Sequence, residues 1–74
     1  MPETTTLAIR VKQYRKSQAK SQLDMAFEMG ISVEEISRIE RGMTDPRLST
    51  LQKIAAHMGI TVSDLLELES IERR

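Results

Sequence analysis

The sequence has no cysteine, no tryptophan and a single residue each of histidine, tyrosine and phenylalanine. Without cysteine there can be no disulfide framework, thiolate metal site or cysteine nucleophile, and a reducing cytosol suits such a chain. His57 is the only imidazole, so a zinc or iron centre would need carboxylates in place of the nitrogen and sulfur ligands these metals favour, and no metal is expected. Two aromatic rings, Tyr14 and Phe27, do not make the stacking platform on which single-stranded nucleic-acid modules hold splayed bases. Long apolar runs are missing too, and Met1 to Thr6 lack the basic start and apolar stretch of an export signal, so neither export nor a membrane span is expected. With 74 residues the chain can bury only about 60% of the surface it exposes when unfolded, which leaves room for one small domain and none for a large-enzyme fold.

Charge is balanced overall, with 11 basic and 11 acidic side chains, and unbalanced along the chain. Residues 1–20 hold Arg10, Lys12, Arg15, Lys16 and Lys20 against Glu3, a net of +4. Residues 21–46 hold Arg38 and Arg41 against Asp24, Glu28, Glu34, Glu35, Glu40 and Asp45, a net of −4.

Three glycines and two prolines punctuate a chain whose apolar residues recur every three or four positions, so the reading is all-α. The spacing predicts a first helix over about Thr5 to Ser17, with Leu7, Val11 and Tyr14 inward and Arg10, Lys12 and Lys16 toward water. Ser21-Gln22-Leu23-Asp24 opens a short helix over about 21–29, and Gly30 stands where a left-handed residue would end it. Ser32-Val33-Glu34-Glu35 is a capping box that opens a third helix ending at Gly42. Met43 to Pro46 read as a loop, because proline disfavours helix at the residue before it. Leu48, Leu51, Ile54, Ala55 and Met58 give a fourth helix that stops at Gly59, and Thr61-Val62-Ser63-Asp64 opens a fifth through Leu68. The expected organisation is therefore a flexible arm over 1–6, a compact five-helix bundle over 7–68 and a tail over 69–74. The methionines fall at helical core spacings and are expected to fill gaps.

Two short capped helices joined by a glycine turn have the form of a helix-turn-helix, whose second helix can enter the DNA major groove. On that second helix Ile36 and Ile39 point inward, which turns Glu34, Ser37, Arg38 and Arg41 to the opposite face. Ser21-Gln22, Met25-Ala26, Gly30, Ser32, Ile36-Ser37, Ile39-Glu40-Arg41-Gly42, Pro46, Leu48, Thr50-Leu51, Lys53-Ile54-Ala55 and Gly59 then follow one another without an insertion. In these elements the chain resembles the lambda-repressor-like helix-turn-helix family of Cro and phage-repressor type, over about residues 7–68. The resemblance implies a five-helix bundle that binds double-stranded operator DNA as a homodimer and regulates transcription, without catalysis or cofactor.

Carried over position by position, the resemblance implies base reading by Val33, Glu34 and Arg38, with Ser37 beside them. Arginine can bond guanine O6 and N7 together, and an apolar side chain can touch a thymine methyl. It implies phosphate contacts from Ser21 and Gln22 at the start of the second helix, with Arg41 and Arg47 suited to clamping further phosphates. Arg15 and Glu40 match an interior salt bridge, and Leu66, Leu68 and Ile71 fall where related repressors meet their two-fold mate.

The chain departs from the family pattern at three places. Glu34 and Glu35 place two carboxylates at the nose of the reading helix; Glu34 either discriminates by repulsion and a cytosine N4 contact or stabilises the helix N-terminus, and Glu35, in the capping box, is expected to stabilise the N-terminus. Leu23 and Phe27 make the second helix apolar over more of its circumference than a small bundle needs; widening the core is the simpler expectation, and a patch for a protein partner the other. Arg47 stands where the family caps its fourth helix with a hydroxyl. His57, with Lys53 one turn before it, is expected as an exposed helical histidine and no catalytic residue is assigned. The rival to a DNA-binding regulator is a protein-interaction module, such as an antitoxin-like subunit with weak DNA binding.

Overall fold

In the computed structural model, which describes residues 3–66, five helices follow one another: α1 (Glu3–Ser17), α2 (Gln22–Met29), α3 (Val33–Glu40), α4 (Leu48–Met58) and α5 (Val62–Leu66). Three hydroxyls set where helices begin, each accepting one of the amide protons that a first turn leaves without an intrahelical partner. Ser21 Oγ accepts from the Asp24 amide, Ser32 Oγ from Glu35 and Thr61 Oγ1 from Asp64, all at 3.0 Å. At α4 the preceding residue is Arg47, and its side chain makes no capping hydrogen bond.

Left-handed residues follow the ends of α1, α2 and α4, at Ala19, Gly30 and Gly59. Gly30, at φ +76°, donates to the Ala26 and Phe27 carbonyls, and the Ile31 amide reaches back to Ala26 at 3.0 Å, so the orphan carbonyls of α2 are satisfied. At the end of α1 the same conformation falls on Ala19, at φ +55°, with the Lys20 amide reaching the Arg15 carbonyl at 3.2 Å. A Cβ in this region costs about 1–2 kcal/mol. Ala19→Gly is therefore expected to raise stability by about 1 kcal/mol; an unchanged or lower urea midpoint would show that Ala19 carries no such strain.

The first helix starts at Glu3, two residues before the expected boundary, so residues 3–6 of the expected flexible arm are helical and Thr6 is buried. At Thr6 packing has overridden the weak helix propensity of threonine. The third helix closes at Glu40, with Arg41 as its cap and Gly42 left-handed beyond it. Leu68, expected within α5, lies outside the described residues.

The core draws on every helix: Leu7 and Val11 from α1, Met25, Ala26 and Met29 from α2, Ile36 and Ile39 from α3, Ile54 and Ala55 from α4, and Leu65 from α5. Tyr14, Val33, Met58 and Leu66 pack half-buried around it. Leu23 and Phe27 do not widen this core. They are 65% and 84% exposed, because Met25, Ala26 and Met29 already fill the inward stripe of α2 and residues 23 and 27 lie off it. Met43 is exposed as well, so it fills no gap: it belongs to the α3–α4 loop, held there by its amide to the Arg38 carbonyl at 3.0 Å.

Candidate nucleic-acid interface

Ile36, Ile39 and Glu40 anchor α3 in the protein, which leaves Glu34, Arg38 and Arg41 exposed and Ser37 half-buried on its outer side. A shallow cleft of about 330 Å³ there is lined by Gln22, Val33, Glu34, Ser37, Arg38 and Arg41. The fold thus brings all four expected base-reading side chains together with Gln22 and Arg41. Val33 is shared between cleft and core, so only part of its surface faces out. Ser21 lies outside the lining, at the cap of α2, and Arg47 stands apart at the head of α4, in a different polar cleft with Asp45 and Lys53. Leu66 is half-buried beside the core, while Leu68 and Ile71 lie outside the described residues.

The orientation of α3 is fixed from behind. Arg15 donates from Nε to Glu40 Oε2 at 2.7 Å and from Nη2 to Oε1 at 3.0 Å, a fork in which each oxygen meets its own nitrogen. The remaining Nη1 donates to the Lys20 carbonyl at 2.9 Å, which ties the α1–α2 turn into the same cluster. Gln22 completes it, donating from Nε2 to Glu40 Oε1 at 3.1 Å. One carboxylate, 2% exposed, thereby holds α1, the start of α2 and the end of α3 in register. Gln22, expected only at a phosphate, has this inward bond as well, so the cleft and the buried pair share a residue.

Burial alone would raise the Glu40 carboxyl. The hydrogen bonds from Arg15 and Gln22, with the charges of Arg15 and Lys12, outweigh it and hold the group below its ordinary value of 4.5. Hydrogen bonding to Glu40 raises Arg15 in turn, against its partial burial. A carboxylate whose pKa is lower folded than unfolded contributes stability above the unfolded value and loses it as pH falls through the folded one. Glu28, lowered chiefly by its hydrogen bond from Lys20, works in the same direction. The urea midpoint is expected to fall progressively as the pH is taken below 4.5. A midpoint that held level from about pH 5 down to pH 2 would show that neither carboxylate is linked to folding.

His57 is not the exposed helical histidine expected. Its Nδ1 meets the Tyr14 hydroxyl at 2.9 Å, its Nε2 meets Glu28 Oε1 at 3.2 Å, and the Tyr14 and His57 rings lie edge to face with centroids 5.7 Å apart. Lys20 completes the group by donating to Glu28 Oε2 at 2.5 Å. These side chains clamp α1 and α2 to α4, and none of them lines the cleft. Tyr14 and His57 are 43 residues apart, and no local pattern in the sequence announces their meeting. Among the described residues no three His, Asp or Glu side chains converge as metal ligands would, and no helix is long and apolar enough to cross a membrane.

Two short capped helices with an outward polar face on the second define a helix-turn-helix protein, a class of DNA-binding regulator. A family model described as helix-turn-helix matches residues 11–65, and the chain belongs to this lambda-repressor-like family. It is 44% identical over 61 residues to the HTH-type transcriptional regulator DdrOP3 of Deinococcus deserti, an alignment covering 82% of this chain and 47% of that one. It is 35% identical to an uncharacterized HTH-type transcriptional regulator of Methanocaldococcus jannaschii, over 85% of this chain and 96% of the other. An immunity repressor protein of Bacillus phage phi105 is 33% identical over 89% of this chain and 46% of its own length. The chain spans about half the length of several of the curated relatives it matches. Among solved structures, a hypothetical transcription factor from Neisseria superposes with a TM-score of 0.84 at 25% identity, covering 99% of this chain and 86% of the other.

Proposed function

We propose that the chain is a sequence-specific, double-stranded DNA-binding transcriptional regulator of the cytoplasm, which represses by occluding a palindromic operator as a homodimer. The observation that carries this reading is the cleft on α3, where Gln22, Val33, Glu34, Ser37, Arg38 and Arg41 meet on one exposed face. Arg38 is free of ion pairs among the described residues and exposed at the middle of that face, suited to a bidentate bond with guanine O6 and N7. The exposed part of Val33 suits a thymine methyl, and Ser37 can donate or accept at either base of a neighbouring pair. Glu34, at the nose of the helix, accepts from cytosine N4 and repels the phosphates of a misplaced duplex, so it contributes discrimination more than affinity.

Phosphates are met by Ser21 and Gln22 at the positive end of α2, and by Arg41 at the end of α3 and Arg47 at the head of α4. Ser21 can do so while capping, since its oxygen accepts from Asp24 and its own proton stays available. For the dimer, Leu66 with Leu68 and Ile71 supply the two-fold contact that sets the half-sites about 34 Å apart. Selection of bound sequences from random duplexes by the purified chain tests the reading: two inverted half-sites should be enriched, whereas no enrichment at low salt would overturn it.

The exposure of Leu23 and Phe27 favours a second reading, in which α2 presents an apolar pair to a protein partner, as an antitoxin-like subunit would. A chain that selected no duplex yet formed a stable complex lost on Phe27→Ala would establish that alternative.

A further inference from the structure

A second cleft, of about 450 Å³, runs between α1 and the end of α3, and Arg41 lines both it and the base-reading cleft. The two clefts therefore meet at that side chain. Along the rim of the second stand Lys12 and Lys16, both exposed and one helical turn apart on α1, with Gln13 between them. Among the described residues neither ammonium forms an ion pair. The one carboxylate in the lining is Glu40, buried and already matched by Arg15. Among the described residues the surface next to the reading cleft is thus cationic, although the chain as a whole carries no net charge.

Affinity for duplex DNA comes largely from cations that displace condensed counterions, and residues 21–46, which contain the reading helix, carry a net charge of −4. Glu34 and Glu35 at the nose of α3 oppose that term, so the required positive charge has to lie beside the reading helix. Resting on the DNA reading above, we infer that α1 is a second backbone-binding element. Lys12 and Lys16 hold phosphates of the strand that passes Arg41, flanking the base pairs read by α3, and the footprint of each protomer extends past the helix-turn-helix onto α1. These contacts carry no sequence information. They supply affinity that the acidic nose of the reading helix withholds.

The test is the double variant Lys12→Gln with Lys16→Gln, both surface changes, measured on a duplex selected by the parent protein. Each lost phosphate contact should lower the slope of log K against log salt by about 0.9, so the parent's advantage should shrink on the order of tenfold between about 50 and 200 mM salt. Ethylation interference at the outermost phosphates of each half-site should vanish, the ranking of base preferences should stay as in the parent, and Lys12→Arg with Lys16→Arg should restore slope and interference. A parent slope and an unaltered interference pattern in the glutamine variant, with sequence preference intact in both, would overturn the α1 track alone. A parent protein without sequence preference or salt dependence would remove the DNA reading and this inference together.

Discussion

Replacing Glu40 by Gln is expected to cost about 3–5 kcal/mol, toward the lower end, because it strands the Arg15 guanidinium beside a neutral amide in an interior that leaves the arginine side chain only 15% exposed. The oxygens that accept from Arg15 Nε, Arg15 Nη2 and Gln22 Nε2 are both on this one side chain, so the substitution weakens three hydrogen bonds at once. A 74-residue chain has roughly 4–11 kcal/mol of stability in all, so the variant should melt tens of degrees lower than the parent. The pair need not be stabilising in itself. Taking two charges out of water offsets most of what their attraction returns, and Arg15→Met combined with Glu40→Leu should recover most of the loss. A Glu40→Gln protein within about 1 kcal/mol of the parent would contradict a charge-paired interior holding α3 in place. Near-parental DNA binding by the recovered double variant would show in addition that packing alone can orient the reading helix.

Arg38→Ala is expected to lower operator affinity by about 1–3 kcal/mol, roughly five- to 150-fold, and to abolish preference at one base pair per half-site. Stability should be near the parent's, since Arg38 is exposed and forms no ion pair among the described residues. Gln22→Ala should behave differently, weakening all sequences alike, because a phosphate contact positions the protein without reading the base. Its bond to Glu40 makes a modest loss of stability part of the same expectation. The comparison is made on a panel of single-base-pair operator variants at fixed salt. Arg38→Ala losing affinity evenly across that panel would assign Arg38 to the backbone and leave base reading to Val33, Glu34 and Ser37.

What the sequence made legible was local. Ser21, Ser32 and Thr61 each stand three residues before an acidic side chain, and each hydroxyl does accept from that residue's amide, since a cap depends only on four consecutive positions. Ile36 and Ile39 likewise fix which side of α3 faces outward, because the helical period leaves little choice once two positions are buried. Arg15 and Glu40 are 25 residues apart and no period links them; their pairing was accessible only through resemblance to a family. His57 shows the limit. With Lys53 one turn before it, it reads as surface, yet Tyr14 and Glu28 come from two other helices to meet it and its side chain is 25% exposed, a meeting decided by tertiary packing. Leu23 and Phe27 mislead in the opposite sense. Apolar residues at i and i+4 signal a buried stripe, and composition cannot reveal that Met25, Ala26 and Met29 already occupy the inward face of α2.

The partner of this protein is expected to be a DNA duplex seated on the outer face of α3. Amide and side-chain NMR shifts of the labelled chain, followed while a selected duplex is titrated in, test it most directly. The largest changes are expected at Gln22, Val33, Glu34, Ser37, Arg38 and Arg41, with Phe27 unmoved; changes centred on Phe27 and the exposed Leu23 side chain, with α3 silent, would contradict a duplex seated there.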